Sequence, residues 1–475
     1  MSRPRMLIKP HFLLFLVSFF FLACANASVS NQQEIRWSQA MTAIDAPVTS
    51  FDGFQSNDSL VTLFTIHGSN TVGESLAPNM LISYLKSKGA KNVRLQASGV
   101  ANESVVKGDL PALGKTVQVA IAAHGSSTGF KGLMNGSADV WASSRRAKEK
   151  EVQAAIEVSN LLEPESEHVL GIDGLAIVVN PSNSISSLSK HQLGLIYSGE
   201  VKNWSEIGGP NLPISLFARD ENSGTWDSFK NMVLGNRFKL SEQANRFESS
   251  EKLVANVLQK PGGIGFIGMA FVGKSKLLAI SDGPTQAFKP SQLTVATEDY
   301  ALSRRLFFYT HSQIKNDYVK EFIRFSQSIQ GQKVVRDEGF ISQNVESMNV
   351  GLAQNLPDDY LNMVKGAKRL SINFRFQEGS AKLDNKALKD IQRLAYYIRE
   401  QGADSELLLI GFGDKRKNEH RSKLLSKLRA MAVRRELARL GIYPQETTGY
   451  GDFNPVASFD GASRVKNRRV EVWMR

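Results

Sequence analysis

Apolar runs that end in glycine and hydroxyl residues recur along the first three quarters of the chain, and helical spacing follows most of them. Leu60 to Ile66 reads as a strand entering His67-Gly68-Ser69-Asn70-Thr71, after which Leu76 to Leu85 has the period of a helix. Val117 to Ala123 leads into His124-Gly125-Ser126-Ser127-Thr128-Gly129, and a helix begins over Phe130 to Met134. Ala138 to Ala142 leads into Ser143-Ser144-Arg145. Ile214 to Ala218 leads into Arg219-Asp220-Glu221-Asn222-Ser223-Gly224-Thr225, with a helix over Trp226 to Val233. This alternation predicts α/β architecture with a largely parallel sheet over residues 60–345. The pattern changes near the C-terminus. Leu370, Ile372, Phe374 and Phe376 alternate as in a strand, and Leu388, Ile391, Leu394, Ala395 and Ile398 follow helical spacing. Leu407 to Ile410 reads as a buried strand, and Val470, Val472 and Met474 as a final one. Between them Leu424, Leu425, Leu428, Ala432, Val433 and Leu437 line one face of a long helix. A compact βαβαβ domain over 369–475 is expected, joined by a linker at 346–368.

The start of the chain carries a different signal. Arg3, Arg5 and Lys9 precede an apolar run from His11 to Leu22, which is short for a membrane span, and Ala25-Asn26-Ala27 supplies a cleavage pattern before Ser28. Residues 1–27 are therefore expected to be a signal peptide and 28–59 a polar leader, leaving no transmembrane segment after cleavage. Cys24, the single cysteine, offers the rival lipoprotein cleavage, but Leu22 and Phe21 replace the small residue and the leucine such a site expects. No internal disulfide is available.

Composition adds one point. The chain has 475 residues, 58 Lys+Arg against 46 Asp+Glu, 42% apolar and 22% charged residues, which suits a folded protein of about three domains. Of the net +12, three charges lie in residues 1–27 and ten in 367–475, so the body between them carries −1. Positive charge confined to one end argues against nucleic acid as a partner of the whole chain.

The hydroxyl-rich loops have a specific chemistry. Free N–H groups at helix starts, hydroxyl donors and one arginine can together cage a tetrahedral oxyanion. Serine and threonine are also ordinary helix caps, so the argument rests on four such loops in one domain and on Arg219. Gly125-Ser126-Ser127-Thr128-Gly129 also satisfies G-x-S-x-G, which would make Ser127 a hydrolase nucleophile with His168 and an aspartate as partners. No oxyanion-hole motif precedes it, so a serine hydrolase is the weaker alternative. His67 and His124 lack carboxylate or thiol companions at ligand spacing, and no metal or other cofactor is expected.

Residues 60 to about 345 resemble the periplasmic phosphate-binding (PstS-like) proteins of ABC transporters. The resemblance rests on the loops above and on Gly171-Ile172-Asp173-Gly174-Leu175-Ala176, Gly199-Glu200-Val201-Lys202-Asn203-Trp204, Gly262-Gly263-Ile264-Gly265-Phe266 and Gly331-Gln332-Lys333. It implies a two-lobed, type II periplasmic-binding-protein fold that closes on phosphate or a related oxyanion without catalysis, and an ABC permease as a further partner. The implied contacts are Ser69, Asn70, Thr71, Ser126, Ser127, Ser143, Arg219, Ser223, Gly224 and Thr225. Ser144 stands where many members carry an aspartate that accepts the proton of hydrogen phosphate. That departure is the support for another alternative, a structural envelope protein with a vestigial cleft; retention of Arg219 and Ser223-Gly224-Thr225 counts against it. Hinges are expected near Ile172-Asp173-Gly174 and Gly262-Gly263-Ile264.

The C-terminal domain resembles the OmpA-like peptidoglycan-binding family. The motifs are Phe374-Arg375-Phe376, Gly411-Phe412-Gly413-Asp414, Leu425-Ser426, Arg429-Ala430, Gly449-Tyr450-Gly451, Asn454-Pro455-Val456-Ala457 and Asn467-Arg468-Arg469-Val470-Glu471. The implied pair is Asp414 and Arg429, holding the ammonium and carboxylate of the diaminopimelate stem. Phe412-Gly413, Lys417 and Ser422 depart from the family pattern. Together the resemblances imply a periplasmic protein held at the peptidoglycan or outer membrane. The basic residues Arg421, Lys423, Lys427, Arg434, Arg435 and Arg439 read as a solvated helix face, with attraction to anionic polymers or lipid headgroups as the sharper reading.

Overall fold

The computed structural model describes residues 60–475 except 222, 352–355, 377–381, 403–405, 416–417 and 460–461, so the expected signal peptide, leader and Cys24 lie outside the described residues. The first lobe opens with β1 (Leu60–Gly68), the short α1 (Asn70–Gly73), α2 (Leu76–Ser87), β2 (Lys91–Ala97), β3 (Glu103–Leu110), β4 (Lys115–Ala122), α3 (Ser126–Asn135), β5 (Val140–Ser143) and α4 (Glu149–Ala155). β6 (Glu167–Val179) is buried along its whole length and carries the chain into the second lobe. That lobe holds β7 (Ser187–Ser189), α5 (Lys190–Ser198), β8 (Ser215–Arg219), α6 (Gly224–Phe229), β9 (Asn245–Phe247), α7 (Ser250–Gln259), β10 (Gly263–Gly268), β11 (Lys276–Leu277), β12 (Ala279–Ser281) and α8 (Gln292–Ala296). β13 (Ser303–Tyr309) returns to the first lobe, which α9 (Asp317–Gln327) and α10 (Ile329–Asp337) complete.

The main sheet runs β2-β3-β4-β1-β5-β13-β6-β10-β8-β9, with β11 also on β6. It is mixed, where the sequence pattern predicts a largely parallel sheet. β1 is parallel to β4 and β5, and β8 to β9 and β10, but β6 and β13 cross between the lobes in opposite senses and must pair antiparallel. Ile172, Asp173 and Gly174 sit at that crossing, opposite Arg305, Arg304 and Ser303. Gly262-Gly263-Ile264 does not: it opens β10 inside the second lobe, against β6 and β8. Close packing accounts for Gly262, since a Cβ there would lie 2.0 Å from the Pro213 carbonyl oxygen. Each lobe has an aromatic centre: Trp141 stacks on Tyr309 at 4.6 Å in the first, and Phe229 on Phe266 at 4.0 Å in the second.

The C-terminal domain comprises β14 (Ser347–Met348), α11 (Asp358–Val364), β15 (Lys368–Arg375), α12 (Asn385–Gln401), β16 (Leu407–Gly411), α13 (Glu419–Ala438), β17 (Glu446–Gly449) and β18 (Arg469–Met474). Its sheet runs β14-β15-β18-β16-β17, two strands more than the βαβαβ reading. Glu446-Thr447-Thr448-Gly449 has no apolar alternation to betray a strand, and its pairing with β16 makes it one. Residues 346–368 are not a free linker. β14 pairs with β15, and α11 buries Tyr360 and Val364 against Leu408, Ile410, Phe412 and Trp473. The long helix α13 is also rotated relative to the sequence reading: it buries Ser422, Ser426, Arg429, Ala430, Val433 and Leu437, while Leu424 and Leu428 face outward.

Charged and polar groups join the C-terminal domain to both lobes. Towards the second lobe, Arg375 Nη2 donates to the Thr297 carbonyl (2.7 Å) and pairs with Asp299 (3.1 Å), and Lys466 Nζ donates to the Tyr300 carbonyl and Ser303 Oγ (3.2 Å each). Towards the first, Asn385 Nδ2 donates to the Leu162 carbonyl (2.9 Å) and Glu167 Oε1 (3.1 Å), and Arg393 Nη2 to Gln327 Oε1 (2.8 Å). Arg305 on β13 binds Glu298 (2.5 Å) and, across the seam, Asp384 (2.7 Å). Burial opposes the charge of Glu298, but Arg305, Lys386 and Arg375 together outweigh it and hold its pKa down at about 2. A carboxylate depressed in the folded state gives its full stabilisation above its ordinary value of 4.5 and loses it as pH falls towards about 2. Denaturant unfolding between pH 5 and 3 is therefore expected to show stability falling with acid, and Glu298→Gln should flatten that slope. An unchanged slope in the variant would show that Glu298 takes no part in it.

Candidate functional site

The cleft is built where three loops of the first lobe meet two segments of the second. β1 ends at Gly68, whose φ is +143° and whose Cβ, if present, would lie 1.9 Å from the Ala142 carbonyl oxygen; a glycine is required on both counts. That approach lets the Ser69 N–H donate to the Ala142 carbonyl (2.9 Å) and the Gly125 N–H to the Gly68 carbonyl (2.7 Å). The loops after β1, β4 and β5 are thereby tied at their first residues. Ser126, opening α3, has its Oγ 3.4 Å from Ser144 Oγ and accepts the Ser144 N–H at 3.2 Å. Ser69 is fully buried and its hydroxyl has no hydrogen-bond partner among the described residues. Asn70 and Thr71 form the first turn of α1.

From the second lobe, Ser223 caps α6 by accepting the Thr225 N–H at 3.2 Å. Gly224 lies directly on Thr71: a Cβ would fall 2.3 Å from Thr71 Oγ1 and 2.4 Å from its Cα. The two lobes touch here, and Arg304 of β13 bonds both. Its Nη2 donates to Thr71 Oγ1 (2.7 Å) and to the Gly224 carbonyl (3.2 Å), and its Nε to Asp173 Oδ2 (3.1 Å), which also accepts from Ser228 (3.2 Å). Arg304 is absent from the set expected from the sequence. In Leu302-Ser303-Arg304-Arg305-Leu306 nothing distinguishes it from a surface cation.

Three expected contacts have local partners. Arg219 is buried, with Nε on the Phe247 carbonyl (3.2 Å), Nη1 on Ser250 Oγ (2.7 Å) and Nη2 on the Glu248 carbonyl (2.6 Å), so two of its five N–H donors remain beyond these bonds. Ser143 Oγ donates to the Arg145 carbonyl (2.7 Å), and Ser127 Oγ accepts from Arg145 Nη2 (3.1 Å). Arg145 is itself clamped by both oxygens of Glu151 at 2.7 Å each. Burial opposes the Glu151 charge, yet Arg145 and the Lys148 N–H keep its pKa below the usual carboxylate range. Ser127 and His168 bond different partners, since His168 Nε2 meets Thr310 Oγ1 at 3.1 Å and burial holds its pKa well below the ordinary value. His124 pairs with Glu103 at 2.9 Å.

In the C-terminal domain, Asp414 and Arg429 lie in a sunken site and not on an open surface. Asp414 Oδ2 is paired with Arg468, and Asp414 Oδ1 is buried without a partner among the described residues. Arg429 Nη1 contacts the Phe412 carbonyl at 3.5 Å and lies over Gly413, where a Cβ would fall 2.8 Å from it and displace the guanidinium. Ser422 Oγ donates to the Asp414 carbonyl (3.0 Å). The pairing of Asp414 with Arg468 was not expected from spacing, because the arginine comes from the far end of the domain. Asn467 pins the adjoining Asn454-Pro455-Val456-Ala457 loop by accepting from Val456 N (2.9 Å) and Ala457 N (3.0 Å). Lys417 and Asn222 lie outside the described residues.

A two-lobed mixed sheet with crossing strands and a cleft ringed by hydroxyls and N–H groups defines a solute-binding receptor domain. The chain belongs to the PBP superfamily: the model described as PBP superfamily domain matches residues 90–329, and the OmpA family model matches residues 375–469. Its relatives include the phosphate-binding protein PstS of Borreliella burgdorferi, 28% identical over 235 residues (48% of this chain, 81% of that protein). PstS of Bacillus subtilis is 31% identical over 230 residues (47% and 70%). A crystal structure of an ABC-type phosphate transport receptor from Vibrio cholerae aligns over 58% of this chain and 99% of its own, with 26% identity and a TM-score of 0.47. Ser69, Asn70 and Thr71 precede the matched region, and the structure is what brings them to the cleft.

Contact between Gly224 and Thr71 makes a geometric prediction. Gly224→Ala should wedge the lobes apart, at a cost of about 1–3 kcal/mol to the apposed state. Small-angle scattering should then report a larger radius of gyration at unchanged helix content. An unaltered scattering profile would mean that the lobes accommodate the methyl group without opening.

Proposed function

We propose that this protein is a non-enzymatic phosphate receptor of the cell envelope, held at the peptidoglycan by its C-terminal domain. The observation that carries the reading is the buried, unpartnered hydroxyl of Ser69. Ser69 sits on the loop that leads into Thr71, which meets Gly224, and its N–H is tied to Ala142 two residues before Ser144, which meets Ser126, in a domain whose relatives bear the name phosphate-binding protein. In this reading Ser69, Asn70, Thr71, Ser126, Ser127, Ser143, Ser223, Gly224 and Thr225 supply N–H and hydroxyl donors, Arg219 supplies charge through its two remaining N–H groups, and Arg304 holds the lobes together over the anion. Asp414 takes the ammonium of the diaminopimelate stem on its free oxygen, and Arg429 takes the carboxylate. Such a protein works on the periplasmic side of the envelope, where capture serves phosphate uptake through an ABC permease or sensing. Loss of phosphate import on deletion of the gene distinguishes the first from the second.

Isothermal titration of the full chain lacking residues 1–27 should give binding heat with phosphate. Ser69→Ala should weaken it about 10- to 100-fold, the worth of one hydrogen bond to a charged group, with little change in melting temperature because that hydroxyl has no hydrogen-bond partner among the described residues. No heat with phosphate, arsenate or sulfate would overturn the reading. For the anchor, Asp414→Ala and Arg429→Ala should each release the chain from purified sacculi in a sedimentation assay. Variants that pellet as the parent does would remove those two residues from the wall site.

A further inference from the structure

The outward face of α13 is the least expected feature of the C-terminal domain. Leu424, Leu428 and Met431 are 58%, 47% and 47% exposed. Their i, i+4, i+7 spacing puts them in one stripe. At about 100° per residue, Lys423, Lys427 and Arg434 border that stripe on one side and Arg421 and Arg439 on the other, while Arg435 continues the line of the stripe one turn past Met431. All six cations are exposed. Glu436 pairs with Arg439 (2.6 Å) and Arg435 (3.7 Å), whereas Arg421, Lys423, Lys427 and Arg434 have no ion pair among the described residues. The opposite face is the one packed on the sheet, and it carries the small and apolar residues Ser426, Ala430, Val433 and Leu437. The outer face of this 20-residue helix therefore carries an apolar keel, ended by Arg435, between two cationic rails.

We propose that this face docks on an anionic lipid bilayer, giving the protein an envelope contact separate from the peptidoglycan site. The keel is narrow and fits the headgroup–acyl boundary, while the long basic stems run along apolar surface and keep their charges among the headgroup phosphates. Each cation near an anionic surface adds attraction. A second copy of the same face would set rail against rail, and like charges would repel. A polar glycan would leave the keel in water. Arg429 is buried on the sheet side of the helix, against the Phe412 carbonyl, and Asp414 precedes the helix, so both contacts fit one molecule.

The test is sedimentation of the full chain lacking residues 1–27 with vesicles of phosphatidylglycerol and phosphatidylcholine, against vesicles of phosphatidylcholine alone. The parent should pellet with the anionic vesicles only. Leu424→Ser/Leu428→Ser/Met431→Ser and Lys423→Glu/Lys427→Glu/Arg434→Glu should each lower that binding about tenfold or more, at unchanged melting temperature, while Asp414→Ala binds vesicles as the parent does. Should a triple variant fail to fold, the parent alone still decides: binding that falls steeply with added salt supports the proposal, and salt-independent binding overturns it. No vesicle binding, equal binding to both vesicle types, or self-association lost in the serine variant also overturns it. Phosphate binding and retention on sacculi are read separately, so the earlier assignment stands or falls on its own.

Discussion

One strand sets the geometry of both lobes and of the C-terminal domain docked on them. β13 closes the first lobe, crosses β6 at the junction with the second, and carries two consecutive arginines. Side chains alternate across a strand, so neighbours reach opposite faces. Arg304 bonds Thr71 and Gly224 in the cleft, and Arg305 binds Glu298 and Asp384 at the seam with the C-terminal domain. Buried charges of this kind are costly to take from water and strongly unfavourable once one partner is lost. Their worth lies in direction: each guanidinium accepts only the arrangement that satisfies its carboxylates, so cleft and seam take their orientation from the same backbone.

The seam also constrains the lobes. A rigid C-terminal domain bonded to Glu167, Leu162 and Gln327 on one side of the crossing, and to Thr297, Asp299 and Tyr300 on the other, can satisfy both sets at one interlobe angle. In this structure that angle places Gly224 against Thr71. Any wider cleft must break one set or deform the domain that makes them. A tethered receptor with a free linker would carry no such constraint, and the packing of Tyr360 and Val364 removes the free linker.

What could be read from the sequence follows the physics of each region. The cleft loops announce themselves because a close backbone approach needs glycine and an N–H cage needs hydroxyls; Gly68, Ser69 and Ser126 could be found without coordinates. The seam could not. It is made of Arg305, Arg375, Asp384, Asn385 and Lys466, residues that periodicity assigns to solvent, and only the docking of two domains shows that Arg375, Asp384 and Asn385 are buried and Arg305 and Lys466 partly so. α13 misled for a related reason. Leucines at helical spacing mark a core face when serine and arginine lie opposite, yet here Ser422, Ser426 and Arg429 face inward. Ser426 Oγ accepts the Gly451 N–H at 2.9 Å, and a Cβ on Gly449 would fall 2.3 Å from that same oxygen. The helix approaches the β17 loop so closely that a leucine would not fit, and the small polar residue takes the inside position.

Charge is distributed to match these two kinds of surface. In the cleft, Arg304 is neutralised by Asp173 and Arg145 by Glu151, so neither offers a free positive charge. In the proposed function an anion held there is stabilised by fixed N–H and hydroxyl donors, which avoids the cost of reorganising solvent and depends little on long-range field. A body of net −1 can therefore hold an anion. The C-terminal domain works the other way. Its excess of ten positive charges is concentrated partly on the exposed rails of α13, where solvent screens them and where only a dense, extended array of negative charge repays the contact. Local, directional recognition belongs to the cleft, and diffuse, salt-sensitive attraction to the outer face of the helix.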